Sequence, residues 1–148
     1  IGSFLRKDQP VIAARIRTAA KRGIQVMRID AGGDDWLIPS IGIPVAPSAW
    51  LNALSEVALA VAKAKSINPP AGTFNLTVSP TAQKIADNLL SGETNAVLLG
   101  SAAIAHHHAS DLHVMAQFIA EQTGATLGFL PVGGNAVEPH WLMRTVPV

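Results

Sequence analysis

One structural unit occurs twice in the 148-residue chain, and this repetition constrains the fold more than any other feature of the sequence. Each copy has the order strand, Gly-Ser turn, helix, stop glycine, strand, which is the order of a βαβ unit joining two parallel strands. The first copy comprises Ile1-Gly2-Ser3, a helical stretch over 8–22, Gly23 and an apolar run over 25–29; the second comprises Leu99-Gly100-Ser101, a helical stretch over 110–123, Gly124 and a run over 126–130. Because Ile1-Gly2 matches only the last residues of a strand, we expect the chain to be a fragment of a longer polypeptide.

The repeat predicts the fold class α/β, as a three-layer Rossmann-like domain whose mostly parallel sheet is built from βαβ units. Residues 1–137 are assigned to this domain and residues 138–148 to an irregular tail, because hydrophobic periodicity is lost there. The predicted helices cover 8–22, 48–63, 80–90 and 110–123, with Asp8, Ser48, Ser79 and Ser110-Asp111 at their starts; the predicted strands cover 26–29, 96–99 and 127–130. Segments 31–47 and 66–78, which are rich in turn-forming residues, are predicted to be irregular.

The composition limits the classes of partner. Hydrophobic residues make up 49% and charged residues only 14% of the chain, which favours a domain whose surface is partly covered by neighbours. A net charge of +1 gives no electrostatic argument for nucleic-acid binding. The sequence contains no cysteine, so this segment itself holds neither disulfides nor thiolate-bound iron–sulfur clusters. No apolar run approaches the roughly 20 residues of a membrane span, so we expect no direct membrane insertion.

The two Gly-Ser turns are the first candidate site. Gly2-Ser3 and Gly100-Ser101 follow predicted strands, and α/β folds bind ligands at the carboxyl ends of their strands. A nucleotide phosphate could lie at the helix N-terminus that follows, although neither turn has the GxGxxG pattern. The alternative is a tight exit from the strand without a ligand, which we favour. Neither Ser3 nor Ser101 lies in a GxSxG nucleophile elbow, so hydrolase chemistry has no support.

Asp30 is the second candidate. It closes the second strand at the position where a Rossmann fold places an acidic residue for a ribose hydroxyl. The alternative, which we favour, is a solvated loop acid beside Asp34 and Asp35.

A histidine cluster is the third candidate, because His106-His107-His108 and His113 are potential metal ligands. Helical zinc sites prefer histidines at i and i+4, a spacing these residues lack. We favour the interpretation that they are polar residues of a loop and of the following helix. The sequence therefore gives no catalytic, cofactor-binding or metal-ligating residue to which we commit.

Two blocks of sequence carry a family resemblance. The first consists of Gly2-Ser3-Phe4-Leu5-Arg6-Lys7-Asp8-Gln9-Pro10 and Ile16-Arg17-Thr18-Ala19-Ala20; the second consists of Val97-Leu98-Leu99-Gly100, His108, Ser110, Leu112, Thr123-Gly124-Ala125 and Gly133-Gly134-Asn135-Ala136. The chain resembles the large iron–sulfur subunit of bacterial NADH:quinone oxidoreductase, respiratory complex I. The Gly-Ser-x-x-Arg-x-x-Gln-Pro stretch is the more specific block; the second is shared with molybdopterin oxidoreductases.

The resemblance implies a segment of the molybdopterin-oxidoreductase-like domain of that subunit, which serves as a scaffold without the pterin. It implies an electron-transport complex that passes electrons from NADH toward quinone, with iron–sulfur clusters elsewhere in the parent subunit. The partners would be the rest of its own subunit and other peripheral-arm subunits, on the cytoplasmic side of the bacterial inner membrane. The segment itself would be non-catalytic. Residues 31–35 lack the arginine with which molybdenum enzymes grip the pterin nucleotide, and the tail from Glu138 departs from the family pattern.

Two alternatives remain at this point. The chain could be the cofactor-binding part of a molybdopterin-dependent oxidoreductase such as formate dehydrogenase, with Gly2-Ser3 and Gly100-Ser101 lining the cofactor. It could also be a free-standing module that binds a ligand or metal through its histidine cluster.

Overall fold

A computed structural model describes residues 1–32, 37–73 and 75–132. Its helices are α1 (Leu5–Asp8), α2 (Pro10–Lys21), α3 (Trp50–Lys65), α4 (Pro80–Ser91), α5 (Ser101–Ile104) and α6 (Ala109–Thr123), and its strands are β1 (Met27–Asp30), β2 (Ile41–Pro44), β3 (Ala96–Gly100) and β4 (Thr126–Leu130). The predicted irregular tail over 138–148 lies outside the described residues. The chain is therefore a mixed α/β protein, as predicted.

The strands form two parallel pairs. β1 pairs with β2 from Met27↔Ile41 to Asp30↔Pro44, and β3 pairs with β4 from Ala96↔Thr126 to Gly100↔Leu130. The second pair is joined through α6, which confirms the βαβ unit predicted for the second copy of the repeat. The prediction that 31–47 is irregular throughout is wrong over β2, because a short strand is specified by its pairing with β1 rather than by its composition.

The first predicted helix is divided into α1 and α2 at Gln9. Gln9 has φ −138° and ψ 60°, and Pro10 occupies the first position of α2. Because the residue before a proline is disfavoured in the helical region, the break falls where the sequence places the proline. The prediction that Asp8 caps this helix is wrong: Asp8 belongs to α1, and its carboxylate accepts a hydrogen bond from Ser101 instead.

Two other helix starts differ from prediction by one or two residues. A 3-10 turn over Pro47–Ala49 contains Ser48, and α3 begins after it at Trp50 without a side-chain cap. The α6 helix begins at Ala109, so Ser110 and Asp111 lie within its first turn rather than before it. An acid in the first turn still interacts favourably with the helix dipole.

The start of α4 is as predicted. The Ala82 backbone N–H donates to Ser79 Oγ at 3.3 Å, and Pro80 occupies the first helical turn. The Glu56 side chain of α3 accepts from the Ser79 N–H at 3.1 Å, which fixes the chain entering the helix against its neighbour.

Replacing Ser79 by alanine is therefore expected to destabilise the fold by about 1 kcal/mol, because it removes the side-chain acceptor for a helix N–H. Urea unfolding followed by circular dichroism measures this loss. Ser79→Asn keeps an acceptor and should retain most of the stability. An equal loss of unfolding free energy in the two variants would contradict the capping role of the Ser79 side chain.

The central helix is α3, which packs against both α4 and α6. Ten of its residues are buried, in agreement with the prediction that this helix is apolar nearly all round. The main hydrophobic cluster also contains Ile29 of β1 and both Val97 and Leu99 of β3. A smaller cluster is formed by Leu5, Ala13 and Leu130, against which Ile12, Ile16 and Leu98 pack.

Consecutive residues of β3 thus belong to different clusters. Val97 and Leu99 pack into the main cluster, whereas Leu98 packs with residues of α1 and α2 in the smaller one. Because successive side chains of a strand point to opposite faces, β3 has helices on both of its faces.

The first two residues connect the two strand pairs. The Ile1 amino group donates to the Leu98 carbonyl at 2.8 Å, and the Gly100 N–H donates to the Ile1 carbonyl at 2.7 Å. On the other side, the Gly2 N–H donates to the Ile29 carbonyl at 2.9 Å. Residues 1 and 2 therefore lie between β1 and β3 in the manner of a strand end, as the repeat predicted.

Within the three described ranges, every helix is too short or too polar to cross a lipid bilayer.

Candidate functional site at the Gly-Ser turns

The two Gly-Ser turns lie side by side at the carboxyl ends of the strands. A Cβ built on Gly100 would lie 2.5 Å from the Ser3 Cα and closer still to the Gly2 carbonyl oxygen. Such distances are far below van der Waals contact. The two turns can therefore pack this closely only because Gly100 has no side chain. The structure thus brings the first candidate residues together.

A tryptophan covers the first turn. Gly2 has φ +55°, and a Cβ at this position would lie 2.7 Å from Cζ3 of Trp50 and 2.9 Å from the Ala103 backbone nitrogen. The indole of Trp50 is only 3% exposed, and its N–H donates to the Val45 carbonyl at 3.2 Å. The Trp50 ring and the second turn therefore occupy the space directly beside Gly2.

The backbone amide that follows the second turn is also engaged, because the Ala102 N–H donates to the Gly2 carbonyl at 3.1 Å. This geometry matches the interpretation favoured from the sequence, in which each Gly-Ser pair is a tight turn at the end of a strand. Sequence reasoning missed Trp50 as a component of the site. One of only three tryptophans in the chain, placed beside the start of a predicted apolar helix, was the available signal.

The serines of the turns have structural partners. Ser101 Oγ donates to Asp8 Oδ2 at 2.8 Å, which ties the start of α5 to the end of α1 across 93 residues of sequence. Ser3 is buried beside Gly100. Since the Ser101 hydroxyl donates directly to a carboxylate, its contacts are those of a structural cross-link between the two copies of the repeat.

Ser101→Ala is accordingly expected to cost about 1 kcal/mol of unfolding free energy, because the half-buried Asp8 carboxylate loses its hydroxyl donor. A double-mutant cycle with Asp8→Ala measures the coupling from urea unfolding of the four proteins. Strictly additive losses would show that the two side chains do not interact.

Asp30 is buried rather than solvated, so the favoured interpretation of a solvated loop acid is wrong. The Asp30 side chain is only 6% exposed, and its carboxylate forms an ion pair with Arg28 and accepts from the Gly32 N–H at 3.0 Å. Each oxygen of Asp30 has a protein partner, which is the arrangement that stabilises a turn after a strand. Asp34 and Asp35 lie outside the described residues.

The rings of His106, His107 and His108 pack against one another in tilted arrangements. Ring centroids are 4.2 Å apart for both His106–His107 and His107–His108, and His106 lies 5.8 Å from Trp50. His108 Nδ1 is 3.1 Å from an Asp111 carboxylate oxygen. His113 meets Phe129 edge-on at 5.3 Å. Over the described part of the chain, no group of three or more potential ligands could hold a metal ion.

At the Gly-Ser turns, part of the space and some of the backbone N–H groups that a pterin nucleotide would use are already engaged within the protein. A dinucleotide site needs free backbone N–H groups and room for the pyrophosphate beside the glycines. Here the Gly2 and Ala102 amides donate within the protein, and Trp50 packs against the glycine.

The chain matches no protein-family model, and no curated protein or solved structure is significantly similar to it.

Proposed function

We propose that the chain is a non-catalytic scaffold segment of the iron–sulfur electron-transfer subunit of an NADH:quinone oxidoreductase, the family its two sequence blocks resemble. The observation that carries the proposal is the closed geometry of the Gly-Ser turns. Their glycines serve to pack one turn against the other and against Trp50, which is what a structural domain requires. A cofactor-binding domain would also need room beside these glycines for the pyrophosphate of the cofactor.

The proposal includes the finer architecture, a three-layer Rossmann-like domain. Two features support it: residues 1 and 2 hydrogen bond to both strand pairs, and β3 packs against helices on both faces. One sheet in the order β2, β1, strand end at Ile1, β3, β4 would have the strand order of a doubly wound fold.

In this proposal the parent polypeptide carries the iron–sulfur clusters on cysteines outside this segment, since the segment has none. The segment packs against the rest of its subunit and against other peripheral-arm subunits, on the cytoplasmic side of the bacterial inner membrane. Its apolar surface supports this role, because the side chains of Val11, Ile24 and Val114 are each more than half exposed. Electrons pass through the parent assembly, and no residue of this segment takes part in their transfer.

The test is the metal content and activity of the intact parent polypeptide. The polypeptide that contains this segment is tagged, purified with its partners from its native membranes, and analysed for iron, molybdenum and NADH:quinone electron transfer. The proposal expects iron, NADH oxidation coupled to quinone reduction, and no stoichiometric molybdenum.

Molybdenum in near-equal amount to protein would overturn the proposal in favour of a molybdopterin-dependent oxidoreductase such as formate dehydrogenase. Recovery without iron and without NADH oxidation would overturn both.

A further inference from the structure

An apolar cavity of about 430 Å³ lies between β1 and β3, the inner strands of the two parallel pairs. Residues 24–29 line one side of it and residues 94–98 line the other. Val57, Ile85 and Ile119 of the main cluster close it on one face, and Leu5 and Ile16 of the smaller cluster close it on the opposite face. The cavity, here called the strand slot, therefore has strands at two sides and apolar helices at the other two.

The strand edges that border the strand slot have no strand partner. Over residues 1–32, 37–73 and 75–132, β1 pairs only with β2, and β3 pairs only with β4. Along a parallel strand, alternate residues direct their backbone groups to opposite neighbours. The Ile29 carbonyl accepts from Gly2, and the Leu98 carbonyl accepts from Ile1. The backbone groups of Met27 and Ile29, and those of Ala96 and Leu98, therefore face the slot.

Ile1 enters the strand slot at one end with a defined register. The Ile1 amino group donates to the Leu98 carbonyl, and the Ile1 carbonyl accepts from the Gly100 N–H. In a parallel ladder, these two bonds place Ile1 opposite Leu99. On the other side, the hydrogen bond from the Gly2 N–H to the Ile29 carbonyl places Ile1 opposite Ile29. In this register, the carbonyl of a residue joined to the Ile1 nitrogen would accept a hydrogen bond from the Ile29 N–H.

We propose that the strand slot binds an extended apolar segment of polypeptide that continues from the Ile1 nitrogen, parallel to both β1 and β3. The occupant is a segment of the same polypeptide directly before Ile1. It completes a continuous sheet from β2 to β4. This inference rests on the hydrogen-bonding register and the slot, and it holds for whichever function the parent protein has.

The slot also specifies the chemistry of that segment. The bordering edges are five to six residues long, so a strand of four or five residues fills the slot, at about 3.3 Å per residue. Its side chains point alternately toward Val57 and toward Ile16, and both directions are apolar. The segment is therefore a run of Val, Ile or Leu without charges or proline, which is typical of a strand buried on both faces.

Two extended chains test the proposal. One carries Val-Val-Ile-Val directly before Ile1, and the matched control carries Gly-Ser-Gly-Ser at the same place. Amide hydrogen exchange is measured by NMR at Ile29 and Leu98, whose N–H groups gain acceptors only when a strand fills the slot. We expect exchange at these two amides to be at least about tenfold slower with the apolar extension than with the control, with nuclear Overhauser contacts from the added residues to both strands.

Equal exchange at Ile29 and Leu98 in the two chains would overturn the proposal. Slow exchange that appears only on dimerisation, at rates that depend on protein concentration, would assign the slot to a second copy and also overturn it. A folded apolar-extended chain beside an unfolded control supports it, because the strand would then complete the core. Failure of both chains to fold would overturn it.

Discussion

Replacing Gly100 by alanine is expected to destabilise the protein by about 3 kcal/mol, the larger end of the range for overpacking. The backbone at Gly100 has φ −82° and ψ 174°, which any residue adopts, so the cost is not one of conformation. It arises because the added methyl group would meet backbone atoms of Gly2 and Ser3, the Ser3 Cα at 2.5 Å. Backbone atoms cannot rotate away, so the two turns must separate. Urea unfolding with a check for an unchanged m-value measures the loss.

Gly128→Ala is the matched control for this substitution. Gly128 lies in β4, the strand that pairs with β3, and its added methyl group would meet only Cδ2 of Leu98, at 2.8 Å. The end of a leucine side chain can change rotamer, so we expect a change within about 1 kcal/mol. Similar losses for the two variants would show that the contact between the turns is not what restricts position 100.

Acidification from pH 9 to pH 5 is expected to remove about 3 kcal/mol of stability from a chain with a free amino group at Ile1. Burial lowers the pKa of this amino group from 8.0 to about 6, and the nearby Asp30 carboxylate only partly opposes the shift. Between these two pH values the unfolded chain binds more protons than the folded chain. Stability therefore falls as the pH drops through the window from 8 to 6, and this amino group contributes no further change below pH 6.

The same chain acetylated at Ile1 isolates this contribution. Acetylation removes the titrating group, whereas every side chain remains the same in both proteins. The difference in unfolding free energy between the two chains should change by about 3 kcal/mol between pH 9 and pH 5. A part of this difference that does not vary with pH would come from the carbonyl group that acetylation adds. A difference that does not vary with pH would mean that the amino group is solvated in the folded state.

The repeated unit was sufficient to predict the second βαβ unit, because each of its parts has a strong local signal. The β3 strand is a continuous apolar run, and Gly124, with φ +71°, ends α6. The β2 strand has no such signal: Ile41–Pro44 contains a glycine and a proline, and only its pairing with β1 makes it extended. Local propensity cannot reveal a strand of that kind.

The candidate site shows the same division between local and long-range information. The sequence indicated the Gly-Ser turns, but not that they touch, since their contact joins residues about 100 positions apart. Asp30 was predicted to be solvated because two further acids follow it in sequence. Its carboxylate pairs with Arg28, which lies on the same face of the strand only once β1 has formed. For the same reason Asp8 appeared as a helix cap, although its partner is Ser101.

The contact between Ile1 and Leu98, which spans 97 positions of sequence, has a consequence for the synthesis of the protein. At about 5–20 residues per second, a ribosome needs roughly 5–20 s to produce β3 after residue 1 has been added. During that interval the backbone groups of Ile1 that pair with β3 have no partner strand, and contacts of such long range also form slowly. Until β3 has been made, this strand end can pair with another chain, which is a route to aggregation during synthesis.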